Sequence, residues 1–518
     1  MEVMDDRKSL VFAAVLILLV AVLFQGSRGL WEPDEGTFCA VAAEMYDRGD
    51  LLMPTLHGKP YPEKPPLMYW GMIAGMKVLG RNEWGERIFY SFCFAACAAL
   101  TGLLAASMWS RREGILAAVM YATMIVPFVA GNTARPDGPL AVGVTLALYC
   151  FWKSLGSQRV ALWKLLMCAS FGIAFLGKGP AALVFAAPMF VYLVAQRKVI
   201  SYFLTPWAVV GAAIFALIGL SWYYYMVKTD PRILTYFWDN EVHGRLVSAK
   251  YRRNPGLLGA LTTYGPVLLC GPLPWAFFWP NWIRISAPKF TTVKWLRENY
   301  TRPRALLIAT WIIVPTVVMC LASSKLPLYL LPIFPAFALA TARGWTLISP
   351  ESATDARMRK FAAWFAVLLV AAKCGATYFP SEKDSRRFWN DMQTMIPPNT
   401  QHFVAIDQDL NGLEFYSKID VVEATNHVEL FPAFVPRILL DDELKLIAEH
   451  KTTCVIISNE KNKKNLEKMK DLLKEYNIPF DAVPMPFKRK LLICFPVPQD
   501  TTPRPEKPRD AARTELGS

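Results

Sequence analysis

Two carboxylates stand side by side at Asp34 and Glu35, just past the first apolar run, and an acid–base pair, Glu63-Lys64, follows before the next helical stretch. Adjacent acids of this kind suit a general base with a helper that binds metal or substrate. Asp34 equally suits a helix N-cap, worth about 1 kcal/mol. The two readings are compatible, because a helix start both fixes and aims a carboxylate. Lys64 is a point charge suited to phosphate, with Glu63 orienting it or holding a divalent ion. A solvated turn ahead of a proline-initiated helix is the plain alternative for that pair. Asp137 opens an apolar run in Arg135-Pro136-Asp137-Gly138-Pro139, where an acid would cap a span or serve as a third catalytic carboxylate. Lys178 lies in Gly177-Lys178-Gly179-Pro180, a tight turn between two apolar runs, and Lys325 repeats that placement in Ser323-Ser324-Lys325-Leu326-Pro327. A lysine so placed implies a nearby anion, and flanking glycines permit close approach of a ligand. Further along, Asn240-Glu241-Val242-His243-Gly244-Arg245 offers an arginine suited to bidentate phosphate contacts, beside a histidine more in keeping with a structural hydrogen bond.

These residues need a membrane to hold them. Of the 518 residues, 54% are hydrophobic and 19% charged, and the apolar ones come in runs of the roughly 20 residues that cross a bilayer of about 30 Å. About eleven such runs lie near 9–29, 87–109, 114–131, 138–152, 161–177, 180–196, 203–227, 257–283, 305–322, 326–342 and 361–379. Residues 66–79 are short for a span and fit an interfacial helix. The net charge of +14 is spread along the chain. Nucleic-acid binding would gather it on one soluble face, so nucleic acid is not an expected partner.

Loop charge gives the orientation. With residues 66–79 left out of the count, one set of short loops carries Arg111-Arg112, Lys153, Arg159, Lys164, Arg197-Lys198, Arg343 and Arg357. The opposite set carries one cation each: Arg135, Lys178 and Lys325. The positive-inside rule then places the N-terminus in the cytoplasm. Loops 30–86 and 228–256 and everything after residue 380 become external, so all the candidate residues converge on one face. An anionic headgroup carried by a lipid is the simplest ligand that would want them.

In the first external loop, Phe38, Val41, Ala42, Met45 and Tyr46 make one helical stripe from Asp34, which Gly49 is placed to end. Residues 51–59 read as extended, and Pro65-Pro66 begins a second helix lying along the membrane. From residue 380 strand-like runs (403–406, 454–457, 491–494) alternate with helical ones, an α/β pattern. No glycine-rich phosphate loop or acid–base cluster is evident there. Cys454 and Cys494 lie in two of these strands and would be free to pair if the tail is external. After Pro498 no apolar face remains, and residues 499–518 read as disordered.

Asp34-Glu35-Gly36-Thr37, Ala43-Glu44-Met45, Gly49-Asp50, Pro60-Tyr61 and Glu63-Lys64-Pro65-Pro66 with Tyr69-Trp70 resemble the first periplasmic loop of bacterial lipid A aminoarabinose transferases. They are similar also to the wider class of polyprenyl-phosphate-sugar-dependent glycosyltransferases related to protein O-mannosyltransferases. The likeness continues through Asp137, Lys178-Gly179, Glu241-x-His243-x-Arg245 and Lys325-Leu326-Pro327-x-Tyr329-x-Leu331-Pro332. The resemblance implies the multi-span glycosyltransferase fold: an all-α polytopic bundle over 1–379 with two juxtamembrane helices in its first external loop, and a small periplasmic α/β domain over 380–498. It implies that Asp34 is the catalytic carboxylate and that Lys64, Arg245, Lys325 and Tyr329 hold the donor phosphate, in company with Lys178. It also implies inversion at the anomeric carbon, with a divalent ion near Glu63 or Asp34 allowed but not required. The expected partners are a polyprenyl-phosphate sugar donor, membrane lipids, and a lipid A-like acceptor in the inner membrane. Two alternatives stand beside it. One is an O-mannosyltransferase-like enzyme with a protein hydroxyl acceptor. The other is a lipid-linked-sugar transporter, which would place polar groups at mid-bilayer rather than on one surface.

Overall fold

The computed structural model describes residues 2–239, 253–280, 303–349, 353–398, 400–425, 438–450, 453–459, 463–476, 478–484 and 490–494. The chain forms two compact units that do not follow its linear order. One holds Met1–Ser27 with Glu63–Ala376, and the other holds Arg28–Pro62 with Thr377–Ser518.

The chain opens with helices α1 (Glu2–Val22), α2 (Asp34–Arg48), α3 (Leu67–Leu79), α4 (Glu83–Met108), α5 (Arg111–Ala122), α6 (Ile125–Gly131), α7 (Asp137–Ser154) and α8 (Val160–Lys178). All but α2 belong to the helical unit. Each apolar run read from the sequence carries helix, yet among the described residues only five helices are long and apolar enough to cross a membrane. These are α4, α8 and the segments Pro206–Thr229, Pro303–Leu321 and Pro327–Ile348. The pair α5 and α6, bent by 64°, makes a sixth if taken as one span. Elsewhere the apolar length is broken. Charged Asp5, Asp6, Arg7 and Lys8 take up the first turns of α1, and the run at 181–195 is split into Ala181–Val184 and Ala187–Ala195.

Small residues let these helices approach one another, as they do where packing rather than water drives association. A Cβ on Gly143 of α7 would lie 2.7–2.8 Å from the backbone and side chain of Ala174 in α8. Gly172 of α8 meets Gly219 in the same way, at a π-helical turn, Ala216–Leu220, inside the span Pro206–Thr229. The two helices read in the stretch 30–86 are present. Helix α2 ends at Gly49 with φ +67°, and α3 begins after Pro66. Residues 51–59 differ: instead of running extended they turn back as a two-stranded hairpin, β1 (Thr55–Leu56) on β2 (Lys59–Pro60).

The second unit is built on a six-stranded sheet of order β5-β4-β3-β6-β8-β7, with β3 His402–Ile406, β4 Asp420–Thr425, β5 Ile438–Leu439, β6 Cys454–Asn459, β7 Asp481–Pro484 and β8 Lys490–Cys494. Strands β3 to β6 run parallel, and β8 and β7 antiparallel. Parallel strands covered on both faces should be apolar at successive positions, and all five residues of β3 are buried. Val404 and Ile406 pack toward the helices Leu440–His450 and Lys463–Glu475, while Phe403 and Ala405 pack toward Met392 and Leu413. Cys454 is a free, buried thiol. Cys494 stands opposite Val455 in the register, not opposite Cys454, so the disulfide that the two strands allowed is not formed. Residues 499–518 lie outside the described residues.

Candidate active site

In the helical unit a cavity of about 140 Å³ collects several of the expected residues: Glu63, Lys64, Lys178 and Tyr329 all line it. Lys64 sits between Glu63 and the proline pair that starts α3. It is buried, and its ammonium donates to the Glu63 carboxylate at 2.7 Å. Lys178 is the last residue of α8, where a cation complements the partial negative charge of the helix end. Its ammonium pairs with the carboxylate of Asp137, the first residue of α7. It also lies 4.2 Å from the ring centroid of Tyr329, in the 3₁₀ helix Pro327–Ile333. The rest of the wall is largely apolar, with Val184, Phe185, Met319, Tyr223 and Phe237. Two lysines lining an otherwise largely apolar cleft would suit an anion attached to a hydrocarbon chain.

Tyr223 and Phe237 were not singled out by sequence; the only signal was the aromatic cluster at 222–225. Gly179, with φ +65°, explains Tyr223. A Cβ there would lie 2.5 Å from the tyrosine hydroxyl. Gly177 faces the backbone of Pro139 and Leu140 in α7. The glycines around Lys178 thus admit neighbouring protein groups, and Gly179 also lines the cavity.

Two expected residues stand off the cavity wall. Asp137, nominated as a catalytic acid, is buried behind Lys178 and holds it. Lys325, nominated for phosphate, is 1% exposed. Its ammonium donates to the carbonyl of Ala322 at 2.6 Å, just past the end of helix Pro303–Leu321. Lysine commonly ends helices this way, by satisfying a carbonyl that has no partner inside the helix. Arg245, with Glu241 and His243, lies outside the described residues.

The other candidate acids belong to the second unit. Pro33 occupies the cap position of α2 and Asp34 is its first helical residue, half-buried, so Asp34 is not the N-cap. Glu35 is 2% exposed and fully engaged. Arg28 grips it with both guanidinium nitrogens, Nη1 to Oε2 at 2.6 Å and Nη2 to Oε1 at 3.0 Å, and the Trp31 amide also donates to Oε2 at 3.0 Å. The acid expected beside Asp34 is thus held by Arg28 and the Trp31 amide at the turn that leads into α2. Arg28 itself went unnoticed because a lone arginine after an apolar run reads as an interfacial charge.

Among the described residues no group of three or more His, Cys, Asp or Glu could hold a metal ion. Glu63, the residue put forward for a divalent ion, gives one oxygen to Lys64. The described residues do not fit a metal centre. The second unit does hold a carboxylate cluster that the strand and helix pattern concealed. Glu414 is pushed up to about 8 by burial and by the carboxylates of Asp420, Glu44 and Glu423.

A family model described as dolichyl-phosphate-mannose-protein mannosyltransferase matches residues 63–225, from the Glu63-Lys64 pair past Lys178. The chain is 29% identical over 331 residues to the undecaprenyl phosphate-alpha-4-amino-4-deoxy-L-arabinose arabinosyl transferase of Yersinia enterocolitica, covering 62% of this chain and 56% of that one. To the enzyme of the same name from Yersinia pestis it is 28% identical over 354 residues, 67% of this chain and 60% of that one. The match thus spans less than two thirds of the length of these relatives. In fold the chain is similar to ArnT from Cupriavidus metallidurans, solved bound to undecaprenyl phosphate. The TM-score is 0.73 at 18% identity, covering 94% of this chain and 97% of that one. It is also similar to the oligosaccharyltransferase of Archaeoglobus fulgidus, with a TM-score of 0.56 at 12% identity over 92% of this chain and 73% of that one. The chain accordingly resembles the polyprenyl-phosphate-sugar membrane glycosyltransferases and has the fold of ArnT.

Proposed function

We propose that this chain is an inverting glycosyltransferase that moves a sugar from a polyprenyl-phosphate carrier to a lipid acceptor of the lipid A kind, at the periplasmic face of the inner membrane. The N-terminus would be cytoplasmic, about eleven segments would cross, and the sheet-bearing unit would lie in the periplasm. The observation that carries the reading is the cavity in which Lys64 and Lys178 meet an apolar wall. Transfer expels polyprenyl phosphate, and charge grows on the bridging oxygen as the bond to the anomeric carbon breaks. Fixed ammonium groups aimed at that oxygen stabilise the transition state more than the ground state. Asp137 and the face of Tyr329 hold the Lys178 ammonium in place, while Val184, Phe185 and Met319 offer the start of the isoprenoid chain an apolar path. Asp34 takes the proton of the acceptor hydroxyl, which attacks the anomeric carbon from the face opposite the phosphate. Arg245 joins the phosphate contacts by resemblance. The aminoarabinose transferases among the relatives favour an amino-pentose as the sugar.

The test is Asp34→Asn in membranes supplied with a polyprenyl-phosphate sugar. Transfer should fall by about 10²–10⁴-fold, the usual worth of a positioned general base, while carrier binding persists. Transfer near the wild-type rate would overturn the assignment. The mannosyltransferase description of the family model supports a second reading, in which the acceptor is a protein hydroxyl. Isolating the glycosylated product separates the two, and a transporter would yield no product at all.

A further inference from the structure

The second unit joins the loop that carries Asp34 to a segment some 350 residues later, and it does so on both sides of that residue. Before Asp34, the Gly29 amide donates to the Asp384 carboxylate at 3.2 Å and the Leu30 amide to the Tyr416 hydroxyl at 2.9 Å. The Glu32 amide donates to the Lys383 carbonyl and the Ser385 amide to the Leu30 carbonyl, both at 2.9 Å. Trp31 and Asp384 thereby form an isolated antiparallel bridge. After Asp34, Asn411 donates through Nδ2 to the Thr37 hydroxyl at 3.0 Å and to Glu423 at 2.9 Å.

Glu32 is the centre of this arrangement. Its Oε1 accepts from the Gly412 amide at 2.7 Å and from the Ser385 hydroxyl at 2.8 Å. Hydrogen bonds to an ionised acceptor are about twice as strong as neutral ones. Two glycines make room for the carboxylate. A Cβ on Gly412 would lie 2.6 Å from Glu32 Oε1 and 2.7 Å from the Ser385 hydroxyl, and one on Gly36 would meet the other Glu32 oxygen. A residue fixed two positions before, at Glu32, and three positions after, at Thr37, has little freedom left in its own backbone. Catalytic groups need placement of that kind, since a displacement of about 1 Å can cost about 10²-fold in rate.

We infer that Glu32 is a positioning residue, and that Ser385 and Gly412 of the C-terminal segment act through it to hold the Asp34 carboxylate at its working place. The C-terminal segment is then part of the catalytic apparatus. This rests on the proposed role of Asp34.

The test uses the full chain in proteoliposomes with an undecaprenyl-phosphate amino-pentose and lipid A, comparing E32A and G412A with D34N. The two substitutions attack the same contact from opposite ends, one deleting the carboxylate and the other pushing it away. Both should lower kcat by about 10- to 100-fold with KM for the donor within about twofold of wild type. In both, amide hydrogen exchange in the first turn of α2 should quicken, while the sheet stays protected as in wild type. Wild-type kcat in both variants beside an inactive D34N would overturn the inference and leave the catalytic reading standing. Full activity in D34N would instead sink the catalytic reading. Unchanged exchange at α2 in both variants overturns the positioning role whatever the activities.

Discussion

The paired burial of Asp137 and Lys178 can be turned into a test of whether Lys178 serves the substrate or only its neighbour. Asp137 is 4% exposed and the Lys178 side chain 11%. Lys178→Met would leave the carboxylate buried without its counter-charge, and breaking a buried pair in this way costs about 3–5 kcal/mol. A lower thermal midpoint in detergent should report it. Adding Asp137→Asn removes the stranded charge with little change of shape, so the double variant should regain most of that stability. Donor affinity follows a different rule. If the Lys178 ammonium contacts the donor phosphate, its loss removes a charge-assisted hydrogen bond worth about 1.5–3 kcal/mol, or about 10- to 150-fold in Kd. Restoring neutrality cannot recover that. The measurement is displacement of a labelled polyprenyl phosphate from wild-type, single-variant and double-variant protein, alongside thermal unfolding of each. The double variant should be stable and weak-binding. A double variant that binds as tightly as wild type would refute the reasoning, and Lys178 would then be a partner for Asp137 alone.

Two further perturbations test the second unit. Arg28→Ala strands the buried Glu35 carboxylate and should destabilise by about 3–5 kcal/mol, seen as a lower unfolding midpoint; Arg28→Ala with Glu35→Gln should recover part of it, and no loss in the single variant would show the pair to be dispensable. Glu414 titrates higher in the folded protein, at about 8, than its ordinary value of 4.5, so folding favours its protonated form. Its contribution is therefore intact below about pH 4.5 and is lost as pH rises toward 8, by about 2 kcal/mol once its partial exposure is allowed for. Glu414→Gln should flatten that slope. The His57 ring lies 3.9 Å from the Glu414 carboxylate, so the comparison is made in a His57→Gln background, and an unchanged slope would count against the cluster.

Much of the architecture was legible because it is set by local pattern. The apolar runs mark the helices, Gly49 and Pro66 mark the ends of α2 and the start of α3, and alternating strand-like and helical stretches foretell the sheet. The site was legible as a set of charges but not as a set of roles. Lys178 and Lys325 look alike in sequence, each a lysine among small residues where an apolar run gives way to a turn. One reaches a cavity and the other a carbonyl of its own chain. A lysine stem has enough rotatable bonds to go either way, so the choice belongs to what the fold places around it. Glu35 beside Asp34 poses the same problem. The pair reads as two acids of one site until Arg28, seven residues upstream, takes one of them. Glu32 stands in the same acidic stretch, but nothing local marked its role, since the groups that donate to it lie 353 and 380 residues later. In surroundings that exclude water, a charge without a partner costs more than a fold can bear. Most buried charges near a site must therefore be engaged by the protein itself. Lys178, held by Asp137 and Tyr329, and Lys64, held by Glu63, are engaged charges that also line a cavity, and the donor-phosphate role proposed for them rests on that placement.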